Sequence, residues 1–239
     1  MTPEIVDRNA YQAKVDALRT REKAHTREGD AIAAARRRLP MVEVSGETRL
    51  VSDHGTVTLL DAFEGRQILI AYYYMWHDGK TAPDQCEGCS FFTSQVHELS
   101  YFHVRNVTYA TFCQGPFDPS LHYCGFMGYA MPWYSVQDSA DTLLAGRQRN
   151  MMYLICYLRQ GDKVFETYWT TFRGVEAMDN VYHLLDMTVY GRQEDWEDSP
   201  PGWPRHLAGK QRMRTGTRPT AQWERLRAGR SDDLGDARR

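Results

Sequence analysis

The stretch Ile68-Leu69-Ile70-Ala71-Tyr72-Tyr73-Tyr74-Met75-Trp76, with Cys86-Glu87-Gly88-Cys89 shortly after it, decides the fold. The first part is a dense apolar run, the pattern of a buried strand. It is too short to cross a membrane. After the second cysteine, Phe92, Val96, Leu99 and Phe102 recur at helical spacing, which predicts a helix from the cysteines to near His103. The cysteines therefore sit where a buried strand turns into a helix. The N–H groups and dipole at a helix start stabilise an anion. A cysteine placed there ionises more readily, and the thiolate is the nucleophile. The second cysteine lies one turn on and can close an intramolecular disulfide.

Working outward, Val107 to Cys113 is a second apolar run, read as a buried parallel strand. Asp118-Pro119 starts a helix that ends at Gly125 or Gly128, and Trp133 to Val136 is a short strand. Met151–Leu158 and Lys163–Thr170 form a hairpin across Arg159-Gln160-Gly161-Asp162. A closing helix is predicted from Gly174 to Met187, with Val181, Leu184 and Leu185 facing inward. Upstream, Met41 to Leu60 alternates around a turn at Asp53-His54-Gly55. Two helices are predicted before it: one capped by Thr2-Pro3, and one from Asp30 to Leu39 ended by Pro40. The order β-α-β-α-β-β-α, parallel strands joined by helices and then an antiparallel hairpin with a closing helix, is that of the thioredoxin fold. The expected fold class is α/β: a thioredoxin-like domain over 46–204, an N-terminal helical extension over 1–45 and a basic, disordered tail over 205–239.

Composition sets the class. The chain has 239 residues, 42% apolar and 25% charged, with a formal net charge of −2. These are values of a soluble globular protein. The start, Met1-Thr2-Pro3-Glu4, lacks the charged and apolar regions of a signal peptide, so a cytoplasmic location is expected. Structural disulfides are rare there, and the five cysteines need another account. Residues 205–239 hold ten Lys/Arg against four Asp/Glu, a net +6 that leaves −8 on the remainder. A solvated tail, with Trp223 and Leu226 able to dock as a short helix, outweighs nucleic-acid binding. A homo-oligomer is left open, and no membrane partner is expected.

The chain resembles the thioredoxin-like family catalogued as domain of unknown function 899, described as predicted dithiol–disulfide oxidoreductases. The resemblance covers residues 15–205. It is carried by Ala31 to Val44, by Leu59-Leu60-Asp61-Ala62-Phe63-Glu64-Gly65-Arg66 and by Cys86-Glu87-Gly88-Cys89-Ser90-Phe91. Met131-Pro132-Trp133-Tyr134-Ser135, Val164-Phe165-Glu166-Thr167-Tyr168, Phe172-Arg173-Gly174-Val175 and Tyr182-His183-Leu184-Leu185-Asp186-Met187-Thr188 continue it in order. It implies the fold and dithiol redox chemistry. The chain departs at Gln137 to Thr142 and at Cys113-Gln114-Gly115. It departs again at Asn150-Met151-Met152, which stands where the thioredoxin fold carries a cis-proline.

In this reading Cys86 attacks and Cys89 resolves. Glu87 opposes the thiolate, so the Cys86 shift is expected to be modest and the couple reducing. Trp76 and His77 border the pair; His77, Asp84 and Glu87 are the candidate bases, and Arg173 a candidate anion partner. The substrate is a disulfide or thiol, a separate reductant recycles the pair, and no cofactor is bound. Two alternative readings differ in their chemistry. A zinc-held binding module would need two more ligands from Cys113, Cys124, His122 and His97, whose spacing is wrong; Cys156 reads as core, and no metal is expected. A peroxide-reducing enzyme is opposed by the lack of a threonine three residues before either cysteine, Pro83 standing before Cys86 instead.

Overall fold

The computed structural model describes residues 3–194 and 196–204. It is built on one eight-stranded sheet in the order β1-β8-β7-β4-β5-β6-β2-β3. The strands are β1 (Val42–Val44), β2 (Arg49–Ser52), β3 (Gly55–Thr58), β4 (Ile68–Tyr74), β5 (Val107–Cys113), β6 (Trp133–Ser135), β7 (Tyr153–Gln160) and β8 (Lys163–Thr171). The predicted central strand is β4, paired parallel with β5 from Ile68↔Val107 to Tyr74↔Cys113 and antiparallel with β7 on its other side. β7 and β8 form the predicted hairpin. The four strands β5-β4-β7-β8, two parallel and two antiparallel, with the helices between them, are the thioredoxin-like fold. β6 extends this core parallel to β5, and the β2–β3 hairpin joins through β6.

Strand alternation divides the core in two. Leu69, Ala71 and Tyr73 of β4 face a cluster with Phe63, Ala110, Phe112, Ile155 and Val164. Tyr72 and Tyr74 face the other, with Trp76, Cys86, Cys89, Tyr109, Tyr123 and Trp133. That second layer is covered by α2 (Glu87–Thr93), α3 (Ser100–His103), α4 (Phe117–Met127), the 3-10 segment Phe172–Met178 and α6 (Asn180–Leu185). α5 (Ala140–Leu143) puts Ala140 and Leu143 into the first. α4 ends at Gly128, whose φ of 74° is left-handed and suits glycine.

Several predicted helices differ. α1 (Arg8–Arg36) is one unbroken helix where two were expected. Its N-cap is Asp7, whose carboxylate accepts from Asn9 and Ala10 N–H, both at 2.9 Å. Pro3 lies outside any helix, and Thr2 lies outside the described residues. α1 buries no residue; its end touches β8 where the Arg36 guanidinium sits 4.9 Å from the Tyr168 ring centre. The helix predicted to run to His103 stops at Thr93, because the Ser94 hydroxyl turns back to donate to the Phe91 carbonyl at 2.6 Å. It restarts as α3, with Glu98 accepting from Ser100 N–H. The closing helix is likewise cut at Asp179, whose carboxylate caps Val181 and Tyr182 and starts α6 afresh. This rotates the face: Tyr182 is buried, while Val181 and Leu184 point outward. The tail at 205–239, with Trp223 and Leu226, lies outside the described residues.

Candidate active site

The cysteine pair sits where β4, after a loop, passes into α2. Cys86 is the N-cap of α2 and its Sγ accepts from Cys89 N–H at 3.3 Å. α2 is only seven residues long, so this local N–H matters more than the macrodipole. Cys89 faces inward, and its Sγ accepts from Met75 N–H at 3.4 Å at the end of the β4 run. Met75 also sets its Sδ 3.8 Å from Cys86 Sγ. Both positions carry thiols. Cys86 retains 9% exposure and Cys89 none, the order expected of an attacking and a resolving thiol. Burial first, then the Cys86 sulfur beside it, pushes the Cys89 thiol well above its usual range.

Beneath the pair lies a buried polar network that sequence reasoning missed. Ser90, directly after Cys89, donates its hydroxyl to the Cys86 carbonyl at 2.8 Å. The Tyr74 and Tyr123 hydroxyls each lie 2.6 Å from the same oxygen. A hydroxyl has one proton and two lone pairs. With its proton given to the carbonyl, Ser90 must accept from both tyrosines, and its capacity is filled. Tyr129 adds a bond to the Ser90 carbonyl at 3.0 Å. α2 is thus fixed at the residue next to Cys89. A serine there has no pattern in the sequence that would mark it.

Trp76 is 6% exposed; its backbone N–H donates to Asn150 Oδ1 at 3.1 Å. Its ring lies so close to Gly115 that a Cβ there would come within 2.1 Å of Trp76 Cδ1. His77 exchanges backbone bonds with the Gln85 amide, which closes the loop before Cys86. Asp84 accepts from the Thr81 hydroxyl, and Glu87 is half-buried in the first turn of α2. Arg173 is turned to Glu176 at 3.0 Å and to the Trp196 ring at 4.3 Å. The Asn150-Met151-Met152 segment, at the same end of the sheet, is held by Gln114. Its amide accepts from Asn150 N–H at 2.6 Å and donates to the Met151 carbonyl at 2.9 Å. Cys113 and Cys124 are buried, and Cys156 is half-buried rather than core. Among the described residues no three His, Cys, Asp or Glu side chains converge as metal ligands. A cleft of ≈ 630 Å³ between the β2–β3 hairpin and Trp133 does not include the cysteine pair among its walls. No helix among the described residues is long and apolar enough to cross a membrane.

No curated protein matches the chain. Similar solved structures include Xanthomonas campestris peroxiredoxin Q, 14% identical with a TM-score of 0.40 over 59% of this chain and 92% of that one. A Chlorobium tepidum protein provisionally named as the thiol:disulfide interchange protein DsbE is 12% identical, with a TM-score of 0.41 over 59% and 93%. A thioredoxin from Wuchereria bancrofti is 14% identical, with a TM-score of 0.36 over 58% and 90%. The sequence itself matches one family over residues 1–215, and the chain belongs to it: the family described as bacterial protein of unknown function, DUF899.

Proposed function

We propose that the protein is a dithiol–disulfide oxidoreductase in which Cys86 attacks and Cys89 resolves. One observation carries this: two thiols three residues apart at a strand-to-helix turn, the outer sulfur held by an N–H of the inner cysteine. The Cys86 thiolate attacks a substrate disulfide and releases one thiol. Cys89 then displaces the second thiol from the mixed disulfide. The substrate is a protein or small-molecule disulfide, and a separate dithiol or thiol reductant returns the pair to its reduced form. A cytoplasmic setting supplies such reductants.

The test is a redox titration in glutathione buffers, read by thiol alkylation and mass. A reversible two-electron transition, lost in both Cys86→Ser and Cys89→Ser, supports the dithiol couple. Thiols that remain unpaired at every poise would sink it.

A further inference from the structure

The Tyr72 hydroxyl stands out among the polar groups of the second core layer. Tyr72 is fully buried, on the same face of β4 as Tyr74 and in the cluster that holds both cysteines. Its oxygen has no hydrogen-bond partner among the described residues. Its neighbour Tyr74, two residues on, is fully bonded through Ser90. The groups that bear on the Tyr72 hydroxyl are Cys89 first, then Cys86 and Tyr109. Its hydroxyl lies close enough to Cys89 to draw the Cys89 ionisation down against the larger opposing effect of burial, while in the resting geometry it forms no well-aligned hydrogen bond. The Tyr109 hydroxyl is directed elsewhere, to Met178 Sδ at 3.9 Å. A dry, unsatisfied donor is costly and is normally satisfied or replaced by an apolar side chain. A phenylalanine would fill the same space without that cost.

An anion at Cys89 would supply the missing acceptor. The Cys89 sulfur already receives Met75 N–H. A second donor, the Tyr72 hydroxyl, would help hold the thiolate that resolution requires, in a site whose burial otherwise opposes it. Tyr72 also stays protonated, since burial and both cysteines hold its own ionisation far above neutral pH, so it is a donor under all working conditions.

We propose that Tyr72 is the hydrogen-bond donor that stabilises the Cys89 thiolate as Cys89 resolves the mixed disulfide. The assignment rests on the dithiol reading above. A substrate R–S–S–R′ exchanges with Cys86, giving Cys86–S–S–R and R′–SH. Cys89 gives up its proton, its sulfur bonds to Cys86 Sγ, and the bond from Cys86 Sγ to R–S breaks. R–S⁻ leaves and takes up the proton. The two electrons lost by the dithiol are those gained by the substrate. Tyr72 keeps its proton throughout and lends only a hydrogen bond.

The probe is 5,5′-dithiobis(2-nitrobenzoate), used on full-length protein carrying Cys156→Ser to remove the half-buried third thiol. Attack by Cys86 releases one coloured thiolate, and resolution by Cys89 releases a second. In Tyr72→Phe the first phase is expected unchanged, which also reports an intact fold. The second phase is expected to slow about three- to tenfold and its pH profile to move to higher pH. Replacing Tyr72 with a fluorinated tyrosine keeps the size, strengthens the donor and is expected to move the profile the other way. A second phase of wild-type rate and pH profile in both variants overturns the assignment and leaves the dithiol mechanism standing. A single release in the protein that retains Tyr72 overturns the dithiol mechanism itself and this assignment with it.

Discussion

Ser90 shows how much one small side chain can organise. Its hydroxyl joins β4 through Tyr74, α4 through Tyr123 and the α2 start through the Cys86 carbonyl. In Ser90→Ala the Cys86 carbonyl keeps its helical bond from Ser90 N–H at 3.0 Å. Two buried phenols lose their shared acceptor. The expected loss of stability is about 2–4 kcal/mol, read from urea unfolding of the reduced protein. A loss below about 0.5 kcal/mol would mean that the tyrosines find other acceptors. The cysteine pair was legible because two thiols at this spacing after a buried strand have few uses. Ser90 was not, since one polar residue in a helical turn fits the apolar spacing as a surface position would. Tyr72 was hidden for the opposite reason: within Tyr72-Tyr73-Tyr74 each ring reads as core bulk, and only the fold shows which hydroxyls are bonded.

At the scale of elements, apolar periodicity located every strand of the core and misjudged the helices. Strand pattern survives because β4, β5 and β7 are decided by burial on two faces. Helix ends are decided by single side chains that compete for backbone groups, such as Ser94 on Phe91 and Asp179 on Val181. Those bonds leave no trace in apolar spacing, so two long helices were expected where each is broken. α1 erred the other way. Its stretch from Thr20 to Gly29 is polar all round and reads as a linker, yet Ala-, Arg- and Glu-rich sequence carries a helix on propensity and exposed pairs such as Arg19 with Asp16 at 3.1 Å. Since α1 buries no residue and its end meets β8 near Arg36, removal of residues 1–36 is expected to cost less than about 1 kcal/mol, the order of one exposed cation–π contact. Thermal melting of the truncated chain checks this. A loss of several kcal/mol would show that α1 is an integral part of the fold.

For the whole molecule, the sheet is the partition. Tyr73 and Tyr157, bonded to each other at 2.7 Å, lie on the face away from the cysteines, and the thiols are spread over the other side and the rim. Burial holds Cys89 well up, Cys113 and Cys124 at about 12 and Cys156 at about 11. In the unfolded chain each returns to about 8.5. Below that value the thiols are protonated in both states and their contribution is intact. Above it the unfolded chain sheds protons that the folded chain keeps, so stability falls as pH rises, by up to about 1.4 kcal/mol per pH unit for each thiol. The urea midpoint of the reduced protein is expected to drop from about pH 8.5 upward, and less steeply once Cys86 and Cys89 are joined. A midpoint flat to about pH 10 would contradict this burial. α1 has a consequence of a different kind. At 1.5 Å per residue, its 29 residues make a rod about 43 Å long. Such a rod, held at one end, drags through solvent out of proportion to its mass. A particle carrying it diffuses and sediments more slowly than a sphere of its mass, so gel filtration calibrated with spheres overstates its weight.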